Sequence, residues 1–272
     1  MDTTIVAVYA ICDDVLEGLH HYEDPQVEMT DAEVMTTGIV AALFFGGSYK
    51  NACEMLYEQG YMPRMLSKSR FSRRLHRIKS IFLQLFAILG EHWKALNEGA
   101  VYSIDTFPVP MCDNYRIPRA RLYRGEAYRG YIASKKQYYY GLKLHLMVTE
   151  HGHPIEFFLT PGAFADVTGL QYFDFDLPEG SKVVADRIYN DYEIEDILKD
   201  VDITFWPMRK KNSTRPFPPW VRYLQHAYRK MIETTGSLVS QLLPKRIHAV
   251  TPEGFELKVV LFLLAVSFNF CR

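Results

Sequence analysis

The hydrophobic pattern changes its period near residue 100, and that change limits the folds open to the chain. Up to residue 98 apolar residues recur at helical spacing. "DAEVMTTGIVAALFFGG" opens with Thr30 or Asp31 as N-cap and stops at Gly46-Gly47. "SYKNACEMLYEQG" predicts a short helix closed by Gly60. "SRFSRRLHRIKSIFLQLFAILGEHWKAL" predicts one long helix with Phe71, Leu75, Ile78, Phe82, Leu85 and Phe86 as its stripe. Beyond residue 100, "AVYSID", "YYYGLKLHLMVTE" and "PIEFFLTPG" predict three strands in meander. A helix in "FADVTGLQYF", a strand in "SKVVAD", a helix in "NDYEIEDILKD" and a strand in "ITFWPM" follow. "WVRYLQHAYRKMIETTGSLVSQLL" and "GFELKVVLFLLAVSFNF" predict two closing helices. The fold class is therefore α/β (α+β): a mixed sheet flanked by helices and preceded by an all-helical region. The division falls into residues 1–98 and 99–272.

Composition supports a sizeable core, with 48% hydrophobic and 23% charged residues among 272. Cys12, Cys53, Cys112 and Cys271 form no CxxC pair. Their scatter speaks against a zinc ribbon or a disulfide framework and for a reducing cytoplasm. The first 49 residues contain no Lys or Arg, which predicts no secretory leader. The longest apolar run, "VVLFLLAVSFNFC", is too short to cross a bilayer, so no membrane is expected.

A net charge of −1 conceals segregation. Residues 1–49 carry nine acidic groups, whereas residues 64–79 carry seven Lys/Arg and no acid. Residues 116–136 carry seven against one acid, and residues 209–230 seven against none. A solvated face accounts for any single window. Three together suggest a surface for a polyanion. Within the first window Arg70, Arg73, Arg74 and Arg77 fall mostly off the apolar stripe, in a short-helix, turn, helix arrangement like a helix-turn-helix. They are the candidate DNA-binding residues of the leader.

Two aspartates end apolar strands. Asp105 closes "VYSID", with Pro108 and Pro110 expected to stop the strand soon afterwards, and Asp186 closes "KVVAD". Ligands gather beyond the carboxyl ends of strands in open α/β sheets. Two such acids on adjacent strands would repel each other, and a divalent cation is the simplest compensation. The alternative is a pair of turn formers or caps. Glu233 lies off the apolar face (Leu224, Tyr228, Met231, Thr235, Val239, Leu242) of the first closing helix. Arg229 lies one turn before it, and Gly236 and Ser237 follow, leaving room for a bulky substrate. The plain alternative is an Arg–Glu surface pair.

"SIDTFPVP", "VVADRIYNDYEIEDIL" and "YRKMIETTGSLVSQLLPKRIHAVTPEGF" resemble the catalytic region of bacterial insertion-sequence transposases of the DDE class. "MTDAEVMTTGIVAALFFGGSYKNACEML" and "MLSKSRFSRRLHRI" are similar to the helical leader of one such group, so the resemblance covers nearly the whole chain. It implies an RNase H-like fold and two divalent cations per active site, Mg2+ with Mn2+ as substitute, held by Asp105, Asp186 and Glu233. By the same resemblance these acids are catalytic in DNA cleavage and strand transfer. Arg229 contacts a phosphate. The implied partner is DNA, as terminal inverted repeats and target, in the cytoplasm at the nucleoid. Because joining two ends to one target needs two active sites and one chain carries one triad, a homodimer is expected. Where the family carries Tyr and Lys, this chain has His226 and Ser240, with Lys245 as a distant substitute. Two other functions remain open: an RNase H-like nuclease without strand transfer, and a non-catalytic DNA-binding protein derived from a transposase. His151 and His153 are expected to be inert in a turn. Asp166 and Asp191 are expected as helix caps, and Trp206 and Trp220 as packing residues.

Overall fold

The computed structural model describes residues 1–133, 135–244 and 247–270. Lys245 and Cys271 lie outside the described residues. The chain divides into two compact units, Met1–Ile88 with Val239–Arg272, and Leu89–Leu238.

In the first unit α2 (Asp31–Phe44) is the central helix, following α1 (Asp2–Gly18). It starts at Thr30 with a reciprocal capping box to Glu33 and ends before Gly46 and Gly47, both at positive φ. Nearly every residue of α2 is buried, because α1, α3 (Tyr49–Glu58), α4 (Lys68–Arg77) and α9 (Pro252–Asn269) all pack on it. Thr36 and Thr37 are tolerated there because each hydroxyl donates to the carbonyl four residues back, at 2.8 Å. From Val259 to Phe268 α9 is almost wholly apolar and is buried on all sides, as a helix enclosed by protein must be. It therefore belongs with the leader helices, whereas the sequence boundary at residue 98 groups it with the sheet.

The predicted long helix is broken. α4 leaves helical geometry at Ile78 and α5 (Lys79–Ala95) begins at the next residue. No Gly or Pro marks the break. Ile78 and Ile81, bonded across it at 3.0 Å, are both buried together with Leu75 and Phe82.

The second unit is built on a mixed sheet. β1 (Val101–Cys112), β2 (Arg129–Ile132), β3 (Gln137–Thr149), β4 (Pro154–Pro161), β5 (Lys182–Ala185) and β6 (Thr204–Pro207) take the order β2-β3-β1-β5-β6, with β4 also on β3. β1, β3 and β4 are antiparallel neighbours, while β5 and β6 run parallel to β1. This is the RNase H-like arrangement. Pro108 and Pro110 do not end β1. They are two apart and so turn their missing N–H groups to one edge, and the β5 ladder has already stopped at Ile104.

The connections are helical. α6 (Asp166–Gly169) is a single turn, shorter than its sequence suggests, and α7 (Tyr192–Asp200) links β5 to β6. Asp191 caps α7 by accepting from Glu193 and Ile194 backbone N–H groups. β2 escaped notice in the sequence because it is four residues long and lies in a charged, Tyr-rich window. α8 (Pro219–Leu242) covers β1, β5 and β6 through Val221, Leu224 and Tyr228 against Val101, Val184 and Trp206. Its buried stripe includes Gln225, whose amide donates to the carbonyls of Trp206 and Pro207 at 3.1 and 3.2 Å.

Candidate active site

The register of the parallel ladder places the two aspartates. Ile104 pairs with Ala185 as its last rung, so the next residues, Asp105 and Asp186, face each other across neighbouring strands. Adjacent strands lie about 4.8 Å apart. Asp105 is half-buried, and its carboxylate accepts from the Thr106 N–H at 2.8 Å. Burial raises its pKa to about 6, and the Asp186 charge adds to the rise. Asp186 caps the 3-10 turn Arg187–Tyr189, accepting from the Arg187 N–H at 2.6 Å.

Glu233 comes from α8. Arg229, one turn before it, lies 3.1 Å from the Glu233 carboxylate and donates from Nη1 to Asp186 at 3.0 Å. Asp105, Asp186 and Arg229 line one narrow crevice with Ser103 and Ile232. The guanidinium thus links Asp186, at the end of β5, to Glu233 on α8, and its charge also acts on Asp105 to hold down part of the rise in that group's pKa. Among the described residues, no three His, Cys, Asp or Glu side chains converge into a group that could hold a metal ion. The donor chemistry still fits a hard cation. Two carboxylates face each other, one of them charged at a cost in solvation that a cation would relieve.

Beside this crevice is a network the sequence did not reveal. Asp166 is not a cap, since Ala165 occupies that position. Its carboxylate accepts from Lys143 Nζ at 2.6 Å and from the Thr106 hydroxyl at 3.2 Å. Tyr189 is wholly buried nearby, and burial followed by the Asp105 charge holds its phenol protonated. His145 is also wholly buried, bonded to Thr160 at 2.9 Å and stacked on Phe158, with its pKa lowered to about 4 by burial. Lys143 and His145 belong to alternating positions of β3, the one clue their spacing offered.

Gly236 leaves no room for substrate. A Cβ there would come within 2.0 Å of the Phe107 ring, so the missing side chain admits Phe107 from β1. Gly236→Ala should therefore lower the melting temperature, at a cost of about 1–3 kcal/mol of overpacking. Adding Phe107→Leu should restore most of the loss. A neutral Gly236→Ala variant would show that α8 does not rest on this ring.

Three-dimensional pairing undoes part of the charge segregation. Arg74 is bound to Glu23 and Asp31, and Arg70 to Glu28 at 2.7 Å, so the leader's own acids occupy half of the predicted DNA-binding set. Arg73 and Arg77 are exposed. Arg209 holds Glu195 with two bonds of 2.7 Å, and Arg215 holds Asp196. Arg74→Ala should cost about 1–3 kcal/mol, because it removes the one cation shared by Glu23 and buried Asp31 and leaves Asp31 with His21, at 2.9 Å, as its side-chain partner. Arg73→Ala with Arg77→Ala should leave stability unchanged and reduce the salt dependence of any DNA binding by roughly 0.9 for each phosphate no longer neutralised. Equal stability losses in both variants would contradict this division of roles.

His151 is exposed, whereas His153 is half-buried: it stacks on Trp93 at 4.1 Å, and burial lowers its pKa to about 4. Trp206 is core, whereas exposed Trp220 meets it edge-on at 6.0 Å. Cys12, Cys53 and Cys112 are free thiols. No helix among the described residues is long and apolar enough to cross a membrane.

A mixed sheet of this order, with two aspartates facing one another at the end of its parallel ladder, is an α/β fold of the kind a transposase catalytic domain has. The family described as "Transposase DDE domain" matches residues 95–245, more than half of the chain. The chain belongs to that family and is a DDE-class transposase. It is similar in structure to a piggyBac transposase, described as a synaptic complex with hairpin DNA. The TM-score is 0.48 at 10% identity, over 97% of this chain and 72% of that one. No curated protein sequence matches it.

Proposed function

We propose that the chain cuts DNA at the ends of an insertion sequence and joins them to a target by phosphoryl transfer. The observation that carries this reading is the facing of Asp105 and Asp186, with Arg229 tying Asp186 to Glu233. These three acids would hold two Mg2+ ions, with Mn2+ as substitute. When bound, such ions activate the attacking oxygen and stabilise the leaving one in an in-line displacement.

The remaining work falls to the chain's own side chains. Asp105 and Asp186, on neighbouring strands, fix the carboxylate spacing through the sheet. Glu233 projects from α8 and is exposed, so it can approach them once Arg229 turns away. Freed from the acids, the Arg229 guanidinium is placed to bind a phosphate beside the scissile bond. Exposed Tyr115, Tyr131 and Tyr138 stand among the exposed arginines of residues 116–129 and suit stacking on bases along a strand. The catalytic division of the chain, residues 99–272 in sequence, would operate as a dimer, because joining two ends to one target needs two sets of acids.

The test is Mg2+-dependent nicking and strand transfer on element-end DNA. Cleavage with joining supports the transposase reading in full. Cleavage without joining reduces it to a nuclease. No reaction with intact DNA binding leaves a DNA-binding protein only.

A further inference from the structure

A cavity of about 610 Å3 opens in the first unit between the starts of α3 and α9 and the basic side of α4. Lys50, Lys68, Lys258, His76, His248 and Ser72 contribute to its walls. Among the described residues that line it there is no carboxylate. Lys50 pairs at 3.5 Å with exposed Glu54, which lies outside this lining. Glu253, in the first turn of α9, is exposed and does not line it either.

Lys258 carries the most information. It is the one basic residue of α9, and the residues that follow it, Val259 to Phe268, are all buried. The ammonium donates to the His248 carbonyl at 2.7 Å and lies 5.0 Å from the centre of the Tyr49 ring. No acid pairs with it among the described residues. Burial, and then the charge of Lys68, push its pKa down. A half-buried cation beside a second cation, without an acid, is a destabilising arrangement that an anion in the cavity would relieve.

The backbone adds to the same field. Ser48, Tyr49 and Lys50 from the start of α3, and Thr251 and Gly254 from the start of α9, line the cavity. Both helices present their positive ends there. The volume suits a nucleotide-sized group better than a lone ion.

We infer that this cavity binds a phosphate group on a nucleotide unit, and that its carrier is a DNA strand. The second clause rests on the function proposed above. The site is separate from the acids of the sheet, and each of its described lining residues belongs to the leader unit.

The test uses the full chain, a labelled short duplex, and the variants Lys68→Gln, Lys258→Gln, their double, and Ser72→Glu. Each neutralisation should lower the slope of log affinity against log salt by roughly 0.9, and the double by about twice that. Ser72→Glu should weaken DNA binding yet raise the melting temperature, because its carboxylate would serve the lysines as an internal anion. Wild-type affinity and slope in the folded double variant would overturn the inference. Should Lys258→Gln fail to fold, exposed Lys68 and Ser72→Glu supply the same readings. Should the wild-type chain bind no DNA, the proposed function fails independently. The cavity is then judged by whether inorganic phosphate or a nucleoside monophosphate raises the melting temperature through Lys258. A lysine-dependent rise supports a phosphate site filled by a free ligand, and its absence overturns the site.

Discussion

Asp105→Asn, Asp186→Asn and Glu233→Gln should each abolish Mg2+-dependent strand cleavage while leaving the protein folded. The expected loss is at least ~10²–10³-fold, the scale of removing one group that stabilises transition-state charge. Each substitution keeps side-chain volume and removes a charge. Asn at position 186 still accepts from the Arg187 N–H, so the turn after β5 survives. Gln at position 233 sits on an exposed part of α8, so the fold loses little. Asp191→Asn is the control, because Asp191 only caps α7 and Asn is an equally good cap. Cleavage assays on purified, folded variants decide the matter. Wild-type activity in any of the three removes that residue from the site.

The second large effect is on stability and has a definite direction in pH. Asp105 has a folded pKa of about 6 against an ordinary value of 3.8. Its contribution to stability is fully present below pH 3.8 and is lost as pH rises through 6. A rise of that size corresponds to about 3 kcal/mol. Metal-free wild-type protein should therefore lose about that much between roughly pH 4 and pH 8 relative to Asp105→Asn, which has no charge to bury there. Denaturant unfolding of both proteins across this range measures the difference. Mg2+ at about pH 8 should then stabilise the wild type more than the variant, since only the wild type offers the half-buried carboxylate as a ligand. A stability difference that stays flat with pH would mean that Asp105 is well solvated in the folded protein and that its burial carries no cost.

Much of this site was legible because sheets are written plainly in sequence. Short apolar runs ending in Asp identify both strands, and parallel neighbours put like positions side by side. The Glu233–Arg229 pair follows from helical spacing. Other features depend on which element comes to rest on which, and periodicity does not carry that. The stripe of α8 reads as apolar, yet Gln225 sits in it because β6 ends beneath it and offers two carbonyls. Gly236 reads as an opening for substrate, and only the approach of β1 shows that Phe107 fills it. Asp166 reads as a cap until β3 brings Lys143 alongside. The basic face of α4 reads as a DNA surface, but two of its four arginines answer acids more than forty residues earlier.

The packing of α9 against α2 also sets an order of events during synthesis. α2 is made early and is buried on nearly every side, but one of its covering helices is encoded only at residues 252–269. The strands bearing Asp105 and Asp186, and the part of α8 that carries Glu233, leave the ribosome before that cover exists. The sheet unit is thus a contiguous stretch that can complete itself first, as domains generally do when they fold as units. The leader must wait, its central helix partly uncovered, until the last helix emerges. A chain interrupted between α8 and α9 would carry all three acids and still lack the piece that finishes its first hundred residues.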